Sequence, residues 1–395
     1  MCRLSWILCA SLICQSAIAQ AATKKILVVE NLKTGNPYLS VQIKEMYENA
    51  IKIAEEDFKE GKLKKGSGIE LDVRLDTSGD VAGALKKGLD ENSVAIVGMA
   101  FTGDAGIATR FAEENKISFI APAASFDDLF QSQYSRSLGI SMSGVIQGMN
   151  HVISAEGKLG KVSLVTAGDT VYDQLYAKQL SSNKAFGISK VHSFAQFEFP
   201  AGKPMKDLDE AAILTSYGHA SVDTVLKSAR SGAKATTHYL ATSQWGYAAQ
   251  FLEKVLKGFN GRISVVTDFY PLYQMPEKAF SGDSRVSALL RQSITASQRF
   301  RDRHIKMFKK EPFEFCYAIY DSIVLAHSVA ANSSVRNKRE FLDKLMQNRE
   351  LVGASGPTVI RDGKFMPVSY VLEWKNDRFQ MKEFSFDGAF WKVNL

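Results

Sequence analysis

Two successive series of short apolar strands and amphipathic helices predict an α/β protein made of two doubly wound parallel-sheet lobes. Three observations carry this prediction. The strand-like segments are continuous apolar runs such as Val94–Val97 and Ile117–Ile120, which suit strands buried on both faces, as in a parallel sheet. Helix-like segments with one apolar face separate them, and the alternation stops and then restarts. The chain of 395 residues is also long enough to bury two cores.

The elements follow in order. Ile26–Glu30 is a short run rich in β-branched residues. Val41–Phe58 then places Met46, Tyr47, Ala50, Ala54 and Phe58 on one helical face. Ile69–Leu75 is a strand, Val81–Leu89 a helix, Val94–Val97 a strand, Ala105–Asn115 a helix and Ile117–Ile120 a strand. The second series runs from a helix at Val145–Glu156 through strands at Lys161–Thr166, Ile188–Phe194, Ala211–Thr215, Tyr239–Leu240 and Ile263–Thr267. Tyr172–Asn183, Ala220–Ser231 and Tyr247–Lys257 supply its helical stretches. Ser284–Met346 is almost wholly helical, and the chain closes in extended runs at Thr358–Ile360, Val368–Trp374 and Phe379–Phe384. The turn pairs Asp362-Gly363 and Asn376-Asp377 separate those runs. One connection is irregular: Pro200–Glu210 is short for a parallel crossover, so either Met205–Glu210 forms a helical turn or the winding departs there.

Residues 1–22 have the pattern of a cleavable secretory signal. Arg3 precedes an apolar run from Leu4 to Cys14, and Ala17-Ile18-Ala19 offers a small-x-small cleavage site. The run is too short to span a bilayer, and export to the periplasm is the expectation. Three of the four cysteines (Cys2, Cys9, Cys14) leave with this segment. Cys316 then has no partner for an internal disulfide, so the mature fold depends on burial.

The formal charge is +7, with Lys and Arg interleaved with Asp and Glu. The densest basic stretches are Lys62–Lys65 and Arg299–Lys310. Phe300, Ile305 and Phe308 make the second a helix with a solvated basic face, so no nucleic-acid partner is expected. Catalysis lacks its usual marks as well. The six histidines are scattered without metal-ligand spacing, and Gly-x-Ser-x-Gly and Gly-x-Gly-x-x-Gly motifs are missing. Neither an enzyme nor a cofactor nor a metal site is expected, and Cys316 fits as core filler.

Several segments taken in order resemble the type I periplasmic solute-binding proteins of the leucine/isoleucine/valine-binding branch, from about Lys24 to Phe386. They are Ile26–Glu30 with Leu32-Lys33-Thr34-Gly35; Val94-Ala95-Ile96-Val97-Gly98 with Phe101-Thr102-Gly103; and Phe119-Ile120-Ala121-Pro122-Ala123-Ala124-Ser125. Lys161–Thr166 with Gly168-Asp169 and Tyr172, Tyr317-Ala318-Ile319-Tyr320-Asp321, and Gly353-Ala354-Ser355-Gly356-Pro357 with Asp362-Gly363 complete the set. The resemblance implies two lobes joined by a three-crossover hinge, with a ligand cleft between them. Lobe 1 is expected from 23–143 plus 275–348, and lobe 2 from 144–274 plus 349–395. It also implies a monomer that binds a small solute by hinge closure and docks, when loaded, on an inner-membrane ABC permease.

The candidate ligand-binding residues follow from both lines of argument. Loops after strands gather where doubly wound sheets bind ligands. Ala100–Gly103 and Ala121–Ser125 are such loops, with Phe101, Thr102, Gly103, Ala123 and Ser125 as candidates, and a helix starting near Asp104 would favour an anionic group. From the second lobe the resemblance adds Tyr172, Tyr217 and Ser243, and Trp245 joins Phe101 as a ring able to stack on a planar ligand.

Ser243 is the departure. Amino-acid binders of this branch place an acid there to pair with the ligand's ammonium. A buried ammonium without a partner costs several kcal/mol. Unless Asp169 or Asp268 substitutes, a free amino acid is therefore a doubtful ligand, and amides, aromatic acids, other carboxylates and polyols stay open. The competing function is a regulatory or sensory module on the same fold.

Overall fold

The computed structural model describes residues 23–393 apart from 35–36, 62–67, 126, 156–160, 195–207, 216–236, 281–283, 362–363 and 387. The signal segment, Tyr217, most of the irregular 200–210 connection, the 220–231 helix, Lys62–Lys65 and Asp362-Gly363 lie outside the described residues.

The first series folds into a five-stranded sheet of order β2-β1-β3-β4-β5, parallel throughout. Its strands are β1 (Lys24–Asn31), β2 (Ile69–Asp76), β3 (Ser93–Gly98), β4 (Ser118–Ala121) and β5 (Ser135–Ser137). Helices α1 (Pro37–Lys59), α2 (Val81–Gly88) and α3 (Thr102–Asn115) connect them. The α1 face predicted from its spacing is the buried one: Met46, Tyr47, Ala50 and Ala54 all enter the first core.

After α4 (Met142–Ala155) the second series repeats the pattern with β6 (Val162–Ala167), β7 (Ile188–Phe194), β8 (Ala211–Leu214), β9 (His238–Ala241) and β10 (Arg262–Thr267). Helices α5 (Val171–Ser182), α6 (Ser243–Tyr247) and α7 (Ala249–Val255) lie among them. The order β7-β6-β8-β9-β10 has the same winding as the first sheet, with the sequence order reversing beside the opening strand. The second sheet is not purely parallel, however. β14 (Ser369–Lys375), β15 (Arg378–Phe386) and β16 (Ala389–Lys392) extend it beyond β10 as an antiparallel meander. These tail strands bury Tyr370, Leu372, Met381 and Phe384 in the second core.

The long helical stretch is α8 (Arg285–Phe308), α9 (Glu314–Ala330) and α10 (Lys338–Gln347). A small antiparallel sheet of β11 (Glu350–Val352), β12 (Pro357–Arg361) and β13 (Lys364–Pro367) follows. Here the expected boundaries at 275 and 349 need correction. Val286, Leu290 and Ile294 of α8 pack in the second core, whereas Phe300 of the same helix packs in the first. One apolar stripe thus serves both lobes, and the change of core falls inside a helix. Likewise Ile360 and Phe365 join the first core, and the chain returns to the second at Val368.

Two segments noted separately in the sequence meet here. The Asp321 carboxylate on α9 accepts the N–H of Ala354 (2.7 Å) and of Ser355 (2.7 Å), and the Ser355 hydroxyl also donates to it. This ties the 353–357 segment to the first lobe. Cys316 is buried on α9, its thiol pushed up to about 12 by desolvation, as core filler should be. The basic face of α8 is ion-paired, Arg303 with Asp57 and Glu60 and Arg301 with Glu311.

Candidate functional site

Each sheet reverses its strand order beside its opening strand, and loops diverge there to leave a crevice. In the first lobe this point lies between the carboxyl ends of β1 and β3. In the second it lies between those of β6 and β8.

The β3 loop leaves the sheet by a tight turn. Gly98 adopts φ 133°, where a Cβ would stand 1.9 Å from the Val29 carbonyl oxygen. Met99, fully buried, follows at φ 55°, a left-handed conformation uncommon for a side chain of this size. Behind the turn, Glu30 ends β1 at 0% exposure. Its carboxylate accepts the N–H of Ala100 (2.8 Å) and of Asn31 (3.1 Å). Burial pushes this carboxyl up to about 7.

Phe101, 38% exposed, then stands as the N-cap of α3 without a side-chain cap bond. Thr102 is buried, and a Cβ placed on Gly103 would lie 3.7 Å from Val171 of the second lobe. The helix begins at Thr102, two residues before the expected Asp104. That shift alters the electrostatics. Asp104 occupies the first turn and accepts a hydrogen bond from the Asn31 amide (3.1 Å), so the chain's own carboxyl already answers the helix dipole.

The loop after β4 is pinned from the end of β5 and the segment that leads into α4. Leu138 N–H donates to Ala121 O (3.0 Å), the Ser137 hydroxyl to Ala124 O (2.7 Å) and Met142 N–H to Ser125 O (3.0 Å). Ala123 is half-buried and Ser125 buried.

On the second lobe, Thr170 caps α5 by accepting the Asp173 N–H (3.1 Å). Asp173 is fully buried and accepts hydroxyl bonds from Thr170 and Thr215, which draws the β6 and β8 loops together. Burial pushes its carboxyl up to about 6. From the neighbouring position on α5, the Tyr172 hydroxyl donates to Thr242 Oγ1 (3.1 Å) and lies 3.3 Å from Ser243 Oγ. The structure therefore brings Tyr172 and Ser243 together. Trp245 does not join them: it is fully buried in the second core and presents no face for stacking.

Asp169 is exposed, and Asp268 is buried directly after β10. Asp268 Oδ2 accepts the Ile140 N–H (2.9 Å) and the Tyr247 hydroxyl (2.9 Å). Tyr247 in turn packs between Phe269 and Phe315. The two lobes also touch elsewhere: the Gln179 amide donates to Asp127 (2.8 Å) and the Gln250 N–H to Glu314 (3.0 Å).

Glu30, Asp173, Thr242, Tyr247 and Glu314 are absent from the sequence-derived candidates. Thr170-x-x-Asp173 carries the spacing of a capping box, and Glu30 is an acid closing an otherwise apolar strand; both signals were available. Glu314 had none, because its cross-lobe partner is a backbone N–H. Among the described residues no cluster of His, Cys, Asp and Glu could hold a metal ion, and no helix is long and apolar enough to cross a membrane.

The family model described as the receptor family ligand binding region matches residues 46–377. No curated protein sequence matches the chain. Among solved structures, a leucine binding protein from Thermotoga maritima superposes with a TM-score of 0.66 at 18% identity, covering 91% of this chain and 98% of that one. A solute binding protein of an ABC transporter from R. palustris, in complex with 4-hydroxybenzoate, gives 0.67 at 15% identity, covering 93% and 98%. A branched-chain amino acid transporter substrate binding protein from Streptococcus pneumoniae, in complex with isoleucine, gives 0.64 at 18% identity, covering 92% and 99%. At such identities the likeness shows the fold, and the two-lobed α/β expectation is borne out.

Proposed function

This chain belongs to the receptor ligand-binding-region family and has the type I periplasmic binding protein fold, and from that premise we propose that it is an exported solute-binding protein. It acts in the periplasm as a monomer, closes its lobes on one small molecule, and presents the loaded form to an ABC permease. It catalyses nothing.

The observation that carries this reading is the meeting of the two crevices. Each sheet opens at its switch point, and the loops beside those points, 98–103 and 168–172, approach each other at Gly103 and Val171. A solute between them would contact backbone and small residues on one side and hydroxyls on the other. We assign Phe101, Thr102, Gly103, Ala123 and Ser125 to the first side and Tyr172, Tyr217 and Ser243 to the second. Closure follows the solute's preference for the closed form, so second-lobe residues should govern affinity most. Tyr217→Ala should weaken binding about tenfold or more.

The solutes of the similar structures are small, isoleucine in one and 4-hydroxybenzoate in another. A thermal-shift screen of the mature protein against amino acids, amides, aromatic acids and sugars tests the reading. A saturating ligand should raise the midpoint by several degrees, since binding to the native state alone adds a few kcal/mol. Silence across the library would favour the regulatory or sensory module instead.

A further inference from the structure

The first sheet ends in a cation that no acid answers. Arg136 lies on the edge strand β5 and is 5% exposed. Its Nη1 donates to the carbonyls of Ser132 (2.6 Å) and Ser135 (2.5 Å), which braces the turn leading into the strand. Its Nε is buried with no hydrogen-bond partner. Its Nη2 donates to the thioether sulfur of Met346 (3.0 Å), in the last turn of α10. Among the described residues no carboxylate pairs with Arg136, and burial lowers the guanidinium to about 10.

A buried guanidinium facing a thioether is poorly served. Thioether sulfur is a weak acceptor, and a buried charge without strong acceptors is costly. The turn brace explains Nη1 but leaves Nη2 and Nε without a role. Met346 is also the most exposed methionine among the described residues, at 36%, whereas Met99, Met142, Met149 and Met381 are at 0%. The side chain most open to a dissolved oxidant thus carries the sulfur that touches the unanswered cation.

We propose that Met346 is an oxidation site whose sulfoxide is captured by Arg136, so that oxidation fastens α10 to β5. The co-reactant is hydrogen peroxide or another two-electron peroxide oxidant. A sulfur lone pair attacks one peroxide oxygen, the S–O bond forms and the O–O bond breaks. The departing oxygen keeps its proton, takes the second one and leaves as water. The sulfur loses two electrons and the peroxide gains them. Methionine oxidation ordinarily loosens a fold by setting a polar atom against apolar neighbours. Here the new oxygen is a strong acceptor on a side chain free to turn it toward Nη2 and Nε, and the donor is charged. The inference rests on the first lobe alone and holds whatever the solute is.

The test treats the mature protein with increasing hydrogen peroxide, locates oxidation by peptide mass spectrometry and follows the thermal midpoint. Every sample carries Met205→Leu, because Met205 lies outside the described residues and its oxidation must not enter the readout. Met346 should be converted ahead of the other methionines. The midpoint should then rise by about 2 °C, and fall back when a methionine sulfoxide reductase removes the oxygen. Met346→Leu should abolish the rise. Met346→Gln, whose amide oxygen stands near the place of the sulfoxide oxygen, should raise the midpoint without oxidant. Conversion of another methionine first would overturn the proposal, as would a midpoint that falls or stays unchanged when Met346 is converted. A rise that persists in Met346→Leu would overturn it too, by tracing the effect to another residue. Both substitutions at 346 fall on an exposed side chain, and the oxidised and unoxidised proteins can be compared without either.

Discussion

The two faces of the cleft are built from different materials. The first-lobe face is a backbone surface, shaped by Gly98 and the left-handed Met99 and held from behind by the Glu30 carboxylate. The second-lobe face is a side-chain surface, where Thr170, Asp173 and Thr215 bind one another and Tyr172 rests on Thr242 and Ser243. The difference separates two tasks. A backbone face fixes shape and changes little when one side chain is replaced. A hydroxyl face can be retuned one atom at a time. Discrimination between solutes should therefore sit on the second lobe and rigidity on the first.

The largest effect that would break this comparison is expected at Glu30. Glu30→Ala strands the Ala100 and Asn31 N–H groups in a buried site and removes side-chain volume, and should destabilise the protein by about 3 kcal/mol. A fall in the urea midpoint with a weakened ligand response is the expected result. Unchanged stability with lost affinity would instead make Glu30 a ligand contact, and the first face would no longer be a frame.

Acidity sharpens the contrast. Burial pushes Glu30 to about 7 and Asp173 to about 6, both above their unfolded values near 4. The folded state therefore holds protons that the unfolded state releases, so stability grows as pH falls through this window and is lost as pH rises past the folded values. Asp268, Asp321 and Glu314, raised to about 6, 6 and 7, act in the same direction. Between pH 7.5 and 6 the protein should gain about 1 kcal/mol from Glu30 alone, measurable as a rising urea midpoint. Glu30→Gln should remove that share and leave the smaller rise that the other four carboxyls supply. A midpoint that falls over this range would mean the carboxylates are stabilised as anions.

Much of this architecture was legible from the chain. Continuous apolar runs such as Val94–Val97 announce buried parallel strands because no face is left for water, and the restart of the alternation announces a second sheet. The partition of α8 between two cores was not legible. A helix shows which of its faces is apolar but not what covers that face, and Ile294 and Phe300 look alike in sequence. The site was half visible for a similar reason. Tyr172 and Ser243 carry recognisable chemistry and do meet, whereas Glu314 acts on a backbone N–H group that no residue type reveals. Trp245 looked available because an aromatic after a strand loop can turn either way, and here it turned into the core.

On the second face, Tyr172→Phe should leave the fold within about 1 kcal/mol of wild type, because the ring packing on Tyr176 survives. Ligand affinity should nevertheless drop several-fold, since the hydroxyl that lies against Thr242 and Ser243 is gone. Calorimetry beside a urea titration separates the two. Equal losses in both would mark Tyr172 as packing alone.

The smallest effect is expected at Gly103, and its smallness is informative. The residue has ordinary backbone angles, and its missing Cβ points at Val171 across the cleft at ordinary contact distance rather than into a backbone atom. Gly103→Ala keeps the N–H that the first face offers, so stability should stay within about 0.5 kcal/mol and affinity within about twofold. A larger residue such as leucine at the same place would meet Val171 and resist closure, weakening binding without lowering the midpoint of the unliganded protein. If alanine itself weakens binding about tenfold, the solute occupies the space beside Gly103. The first face would then discriminate between solutes as the second does, and the division of labour between the lobes would fail at the point where they touch.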